Sequence, residues 1–476
     1  MINMIKTKKI FSDDKQFYKS VFRIVLPLIA MSAMSLILNF CDIIMLGRLG
    51  EEISETAISA AQIANRPFFV FSLIMFGAMS GATVLCSQYW GKKDIDTINS
   101  ITGTTLVFLL PVCIILMTVC YIFAENIMSL LSNDEAIVEM AVVYLRIILF
   151  SFIFNLFTNL FSGILRSVEK VKIPMTAVLT GIIINIFLNW VFIYGNLGFS
   201  AMGIKGAAIA TVTARVTELL IILIYIIFFE KTIRFTIKKM FKIHIVIIKD
   251  FFKYSLPVIA NEFLWGFGVT IHSSIIGNMP KNALADQLAA YTISNMIEQI
   301  AFMSIMGFSN ACCILIGKAI GEGKDNDTIT SYARTFIGFA VVFSVITGSA
   351  AFFLRNPIID IFEISPMTKA YASRLFVVVT VFVLIKTFNC VSIVGIFRGG
   401  GDTKTGMIID ICAMYFVGIP LGFTAMYFLK LDVPFVYAFL ISDELVKLPI
   451  VMWRVKSCKW IHNITRDKHE IDAKKN

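Results

Sequence analysis

Long apolar stretches separated by short polar segments occupy almost the whole chain. About 20 apolar residues are enough to cross the hydrocarbon core of a bilayer as a helix. We therefore predict an all-α integral membrane protein with twelve transmembrane helices. The first six are 24–46, 58–89, 99–123, 138–165, 174–195 and 204–229, and the second six are 254–277, 287–318, 333–354, 371–397, 406–429 and 434–454.

The two groups of six helices repeat one another along the chain. Three pairs of equivalent positions lie 230 residues apart (257 − 27 = 230): Pro27 and Pro257, Asn65 and Asn295, Gly91 and Gly321. Because an even number of helices gives both repeats the same orientation, we predict two six-helix lobes related by a pseudo-twofold along the membrane normal. The predicted N-lobe is 1–229 and the predicted C-lobe is 254–454. A duplicated membrane bundle is typical of a transporter whose site lies where the halves meet.

Composition supports a membrane location, since 58% of the 476 residues are hydrophobic and only 16% are charged. The net charge of +10 does not indicate a nucleic-acid partner, because the Lys and Arg residues lie in loops and tails between the apolar spans. They cluster in a connector, 230–253, and in a tail, 455–476, and the loops 50–56 and 196–202 have none. The chain is therefore expected in the cell membrane, the inner membrane in bacteria, with the connector, the tail and both termini in the cytoplasm.

Other function classes find little support in the residues. The nine cysteines are scattered through the apolar spans, so neither a disulfide framework nor a zinc site is indicated. The four His residues are poorly placed for an intramembrane enzyme, and the GGGDTK segment at 399–404 lacks the context of a phosphate-binding loop. We expect no cofactor. A channel stays an alternative, because only a transport assay separates it from an exporter.

Four segments carry a family resemblance: 27–50 (PLIAMSAMSLILNFCDIIMLGRLG), 163–174 (GILRSVEKVKIP), 203–211 (GIKGAAIAT) and 395–405 (GIFRGGGDTKT). Over essentially its whole length the chain resembles the multidrug and toxic compound extrusion family. The resemblance implies two six-helix lobes around a central cavity, and alternating access in which entry of H⁺ or Na⁺ drives export of cationic, amphipathic compounds. Many members carry Asn-x-x-x-Asp on the fifth helix, beside an Asp on the first. Here that pair is Asn185 and Asn189, so a site with two acids is not implied.

Two isolated acids are the main candidates for ion coupling, because a charge in mid-membrane is costly and needs a reason. Asp42 lies late in the first helix, where it either binds H⁺ or Na⁺ together with Asn185 and Asn189 or is an interfacial residue. Glu262 follows Pro257 by five residues and matches an acid of the family's NorM-type branch. A proline frees a carbonyl oxygen in the preceding turn, and Na⁺, like other hard cations, favours oxygen ligands. The alternative for Glu262 is a structural residue satisfied by Asn261 or Trp265.

Further polar residues in the apolar spans are candidates for the substrate cavity. Lys386 and Asp410 lie on neighbouring antiparallel helices, and we expect either a switchable buried ion pair or simple charge compensation. The NorM-type branch has an Asp on the tenth helix, whereas 384–389 (LIKTFN) has no acid. Either Asp410 substitutes for it, or Glu262 acts with Lys386 alone. Trp265, Glu298 and Thr211 are the other cavity candidates, although helix packing is the plainer role for Thr211.

Two charge pairs repeat with reversed sign 229 residues apart. Arg215 and Glu218 are three residues apart on the sixth helix, as are Glu444 and Lys447 on the twelfth. Side chains at this spacing share a helix face and can neutralise one another. We interpret both as structural pairs facing the bundle interior, with cavity-lining electrostatics as the sharper alternative. Arg166, and Arg398 with Asp402, are expected to anchor or gate the cytoplasmic ends of equivalent helices.

Together these features predict a monomeric secondary-active antiporter that exports organic cations in exchange for H⁺ or Na⁺. Coupling is expected at Asp42 and Glu262, and the residues leave the choice of ion open. The alternative from the same superfamily is a flippase or exporter of a lipid-linked or polar metabolite. Such flippases commonly have additional helices, and the six-plus-six count argues against one.

Overall fold

The structure is a computed structural model that describes residues 14–242, 244–279, 284–362 and 364–472. Helices dominate the first half of the chain. Their bounds are α1 Lys15–Leu46, α2 Glu51–Ala64, α3 Arg66–Gly91, α4 Ile95–Ile122, α5 Ala124–Leu131, α6 Glu135–Ile148, α7 Phe150–Ser167, α8 Lys172–Tyr194, α9 Ile204–Ile224 and α10 Ile237–Met240. A short 3₁₀ turn, Asn196–Gly198, follows α8, and a π-helical segment, Tyr225–Phe229, extends α9.

The second half has the same character. Its helices are α11 Ile245–Gly277, α12 Leu284–Gly321, α13 Asn326–Asp360, α14 Pro366–Cys390, α15 Thr403–Ala413, α16 Ile419–Tyr427, α17 Val433–Leu440, α18 Asp443–Ser457 and α19 Lys468–Asp472. The π-helical segment Val391–Phe397 extends α14, and Met414–Gly418 joins α15 to α16. The described residues contain no β-strand.

The predicted fold class is confirmed, and every predicted span has a helical counterpart in the described residues. By length and composition, nine described helices could cross a membrane, or ten if the bent pair α6–α7 forms one span, and twelve helices are consistent with this. Large apolar side chains such as Phe228, Phe353 and Phe416 are exposed. A surface of this kind suits contact with lipid.

Several predicted spans are broken, each with a local cause. The span 58–89 is two helices, because the chain turns at Asn65 and restarts with Pro67 in the first turn of α3, where proline is well tolerated. The span 138–165 bends by 45° between α6 and α7. The segment 50–56, expected to be a loop, begins α2 directly after Gly50, whose φ of +112° suits glycine.

The chain divides into two compact units that exchange the beginnings of their long helices. Unit 1 contains the described residues up to Ile29 together with Ala260–Thr465, and unit 2 contains Ala30–Ile259 and the described residues from Arg466 onward. The two crossover points are one repeat length apart (259 − 29 = 230). The predicted lobes follow chain order, whereas α1 and α11 are each continuous helices that begin in one unit and end in the other. The sequence limits of the lobes stay a prediction.

Each unit holds its exchanged segment by close packing. In unit 1 the ring of Phe17 stacks on Tyr332 with centroids 3.9 Å apart, and the Tyr332 hydroxyl donates to Asp14 at 2.5 Å. In unit 2, α3 approaches α11 so closely at Gly81 that an added Cβ would lie 2.5 Å from the Ser255 Cα. Only glycine permits this approach of two helix backbones.

Candidate functional site

A chain of hydrogen bonds links four of the predicted residues in unit 2. The Asn189 amide on α8 donates to Asp42 on α1 at 2.6 Å and to Asn185 at 3.1 Å. The Asn185 amide donates in turn to the Thr211 hydroxyl on α9 at 3.2 Å. The i, i+4 spacing puts both asparagines on one face of α8, where both are fully buried. The structure therefore brings together Asp42, Asn185, Asn189 and Thr211.

The chemistry of this Asp42 cluster suits a small hard cation or a proton. Asp42 forms no salt bridge within the described residues, and its bonded partner is a neutral amide. The buried Asn189 Oδ1 has no hydrogen-bond partner among the described residues, so an oxygen acceptor is left unused beside a carboxylate. Tyr144 and Asn65, neither of which the sequence proposed as a site residue, belong to the same environment, since Tyr144 interacts with Asp42, Asn65 and Thr211.

The predicted pair on α9 is present. Arg215 Nη1 donates to both Glu218 carboxylate oxygens, at 3.0 and 2.9 Å. Glu218 also packs against Gly181 on α8, where an added Cβ would lie 2.4 Å from Oε1. This tight packing fits the structural interpretation of the pair.

Glu262 pairs with Arg398, a partner that the sequence did not indicate, and it also interacts with Asn261, one of the residues considered there. In unit 1 the Arg398 Nη2 donates to Glu262 Oε1 at 2.7 Å, and both residues are buried. Arg398 follows the π-helical segment Val391–Phe397, and an i→i+5 segment shifts the face on which later side chains lie. Asp402 pairs with Arg454 at 2.6 Å, so Arg398 and Asp402 have separate partners, and their role as a helix-end anchor or gate stays a prediction.

One buried ammonium group in unit 1 contacts three carboxylates. Lys447 Nζ lies 2.7 Å from Asp410, 2.8 Å from Asp443 and 3.1 Å from Glu444. The predicted Glu444–Lys447 pair is thus present within a larger cluster. Asn389 donates to the Glu444 carboxylate at 2.8 Å, and its own Oδ1 has no hydrogen-bond partner among the described residues. We call these five residues the Lys447 cluster.

The expected pair between Lys386 and Asp410 is not formed. Lys386 Nζ instead lies 2.6 Å from Glu298 on α12, and Asp410 pairs with Lys447. The Tyr437 hydroxyl donates to the second oxygen of Glu298. Lys386 also lies over the ring of Phe302, 5.0 Å from its centroid, and Phe302 stacks on Trp265 with centroids 5.8 Å apart. Three of the cavity candidates, Trp265, Glu298 and Lys386, are therefore neighbours in one unit.

The described residues contain no cluster of side chains typical of a metal site. In the part of the chain that the structure describes, no group of three or more His, Cys, Asp or Glu side chains is arranged to hold a metal ion.

A sequence model of the MatE family matches residues 27–191 and 257–424. The two matched segments begin 230 residues apart (257 − 27 = 230), which is the repeat length seen in the sequence. The chain belongs to the MatE family. The resemblance to multidrug and toxic compound extrusion transporters is thereby confirmed, and the protein is a multi-pass membrane transporter rather than an enzyme.

Individual MatE relatives cover nearly the whole chain. The probable multidrug resistance protein NorM of Thermotoga maritima is 25% identical over 446 residues, which is 93% of each protein. The probable multidrug resistance protein YoeA of Bacillus subtilis is 23% identical and covers 81% of this chain and 82% of its own. This MatE protein is therefore similar over most of its length to proteins named for multidrug resistance.

Solved structures support the MatE fold. A MOP superfamily transporter from Pyrococcus furiosus matches with a TM-score of 0.83 at 19% identity, covering 95% of this chain and 100% of its own. A eukaryotic MATE transporter matches with a TM-score of 0.79, also at 19% identity, covering 94% and 96%. At this identity the likeness concerns the fold alone.

Sequence reasoning about this MatE protein missed the partners of several predicted charges. Arg398, Asp443, Asn389 and Tyr437 were not assigned to the candidate sites. Asp443 was within reach of sequence reasoning, because it lies four residues before Lys447 and shares its helix face. The other partners come from different helices, and nothing in their spacing along the chain indicates the contact.

Proposed function

We propose that this chain is a secondary-active multidrug exporter that exchanges H⁺ or Na⁺ for organic cations by alternating access. It acts as a monomer in the cell membrane with both termini in the cytoplasm, as the distribution of Lys and Arg supports. The observation that carries the proposal is that, among the described residues, each unit has a buried carboxylate without a salt-bridge cation of its own: Asp42 in unit 2, and the acids that share Lys447 in unit 1. An exchangeable cation that neutralises this charge in only one state gives the transporter a way to respond to an ion gradient.

These carboxylates lie in two groups, one in each unit. In unit 2, Asp42 accepts a hydrogen bond from the Asn189 amide and forms no salt bridge within the described residues. In unit 1, three carboxylates of the Lys447 cluster face one ammonium within the described residues. Buried charges are stable only when they are paired and hydrogen-bonded. Uptake of H⁺ or Na⁺ by either group relieves the imbalance, and release restores it.

Glu262 was expected to be a coupling acid, but the structure favours Asp42 as the cleaner test. Glu262 and Arg398 form a closed buried pair, so Glu262→Gln leaves a buried guanidinium without its carboxylate. Breaking such a pair costs about 3–5 kcal/mol, and loss of transport would then follow from loss of folding. Asp42→Asn keeps the shape of the side chain and leaves no described cation without its salt-bridge partner.

The experiment is export of ethidium from proteoliposomes, with Na⁺ and pH gradients imposed separately. The wild-type protein should export the dye against its gradient under at least one of the two ions, and Asp42→Asn should lose that response. The matched control is Glu125→Gln, an exposed acid of unit 2 with only a 3.4 Å surface contact to Arg146. Full gradient-driven export by Asp42→Asn would refute the coupling role. Equilibration without uphill export by the wild type would indicate a channel instead.

A further inference from the structure

The Lys386–Glu298 pair of unit 1 has a more exposed cation than the Glu262–Arg398 pair or the Lys447 cluster. The Lys386 and Glu298 side chains are 25% and 14% exposed, whereas Lys447 and Arg398 are each 4% exposed. The Lys386–Glu298 pair is nevertheless short, at 2.6 Å. It is therefore a tight pair whose surface is partly open.

The surroundings of this pair are aromatic. Lys386 lies over Phe302, the Phe302 ring is nearly parallel to Trp265, at an interplanar angle of 14°, and Tyr437 donates to Glu298. His272 lies within electrostatic range of both members of the pair, and its buried Nε2 has no hydrogen-bond partner among the described residues. The site thus offers one cation, one anion, a stacked aromatic wall and an unused polar atom.

The charges of the pair set a condition on what can bind. An organic cation that binds Glu298 must displace Lys386, which then lies in a poorly hydrated place without its counter-charge. Leaving one partner of a buried pair uncompensated is strongly unfavourable. A molecule with both an ammonium group and a carboxylate avoids this cost, because its two charges exchange partners with Glu298 and Lys386 and the site stays neutral.

We propose that Trp265, Glu298, Phe302 and Lys386 form a substrate subsite that prefers aromatic zwitterions to aromatic monocations. The ligand's ammonium group binds Glu298, its carboxylate binds Lys386, and its ring stacks on the wall of Phe302 and Trp265. This inference rests on the proposed export function and narrows its substrate class.

The test uses two dyes that differ by methylation of one carboxylate, and therefore in net charge. Rhodamine 110 is a zwitterion with a free carboxylate, and rhodamine 123 is its methyl ester and a monocation. Binding of each to the purified full-length protein in detergent is followed by fluorescence polarisation. We expect the wild-type protein to bind rhodamine 110 about tenfold more tightly, since a hydrogen bond to a charged group contributes on that order.

Variants assign the preference to the pair. Lys386→Gln should weaken binding of rhodamine 110 by about tenfold and leave rhodamine 123 unchanged or tighter, which abolishes the preference or reverses it. Lys386→Arg should retain it. The matched control is Lys369→Gln, which removes a lysine from the same helix, α14, where its pair with Asp360 is exposed. This control should bind both dyes as the wild type does.

Equal affinity of the wild type for the two dyes overturns the inference, whatever the variants do. So does an equal loss of both dyes in a folded Lys386→Gln protein. If Lys386→Gln does not fold, the wild-type preference and its retention in Lys386→Arg decide the matter. Gradient-driven export of ethidium without a preference for rhodamine 110 refutes this subsite and leaves the proposed exporter intact.

Discussion

Removing the ammonium of Lys447 is the most severe single change that the structure identifies in unit 1. Lys447 Nζ is the shared partner of Asp410, Asp443 and Glu444, at 2.7 to 3.1 Å. Lys447→Met keeps most of the length and the apolar stem of the side chain but deletes the charge. The three carboxylates then face one another in a buried place, with Asn389 as a neutral donor to one of them.

The expected cost follows from burial and from the number of contacts. Removing one member of a buried ion pair costs about 3–5 kcal/mol, and here one deletion affects three acids, so the upper part of that range applies. For a unit of this size each kcal/mol lowers the melting temperature by about 2–4 °C, so a loss of about 4–5 kcal/mol predicts a fall of roughly 8–20 °C. Combining Lys447→Met with Glu444→Gln should recover part of the loss, because one fewer charge is then left without a partner.

The assay is thermal unfolding of the purified protein in detergent, followed by fluorescence or by loss of the monodisperse peak. Lys318→Met serves as the control, since Lys318 in the same unit is 3.8 Å from Glu322 and both are partly exposed. An exposed pair of this kind contributes about 0–1 kcal/mol. The reasoning is refuted if Lys447→Met melts within a degree or two of Lys318→Met.

Three other changes test contacts in unit 2. Burial raises the pKa of Glu230, but the Lys170 ammonium and two backbone N–H groups outweigh burial and hold the pKa below its ordinary value of 4.5. The stability that this interaction contributes is present above pH 4.5 and is lost as pH falls through the lowered pKa. In Glu230→Gln the melting temperature should therefore change less with pH on the acid side. Gly81→Ala should reduce the free energy of unfolding by about 1–3 kcal/mol, and so lower the melting temperature, because its Cβ meets the backbone of α11. Arg466→Gln should speed hydrogen exchange in 466–472, since Arg466 holds this segment to Asp250 at 2.5 and 2.8 Å.

Each of these changes has its own control. For Glu230→Gln the comparison is the melting temperature at neutral pH, where about 2 kcal/mol of stability should be lost. If the melting temperature of this variant falls with acid as that of the wild type does, the role of Glu230 is contradicted. Gly277→Ala adds a methyl group where nothing lies within 4 Å and should be nearly neutral. Lys468→Gln, in an exposed contact of 3.9 Å, should leave exchange unchanged, and equal exchange in Arg466→Gln would exclude the proposed role of Arg466.

The candidate sites show where sequence reasoning reached its limit. The proximity of Asp42 to the asparagines of α8 followed from the family resemblance, and the pairs at i, i+3 followed from helix geometry. The partner of Lys386 did not follow, because Glu298 and Asp410 were both on neighbouring helices and only rotation of each helix decides between them. The π-helical segments at Val391–Phe397 and Met414–Gly418 change that rotation and have no apolar pattern of their own.

The sequence by itself determined the fold class, the twelve-helix count and the repeat, because lipid requires long apolar helices and a duplication leaves its offset in the chain. It also identified most of the costly charges, since each interrupts an apolar span. Only the tertiary structure decided which charges meet, and that α1 and α11 begin in one compact unit and end in the other. Hydrophobicity specifies that a helix enters the membrane, but it carries no information about partners, which depend on helix rotation and packing.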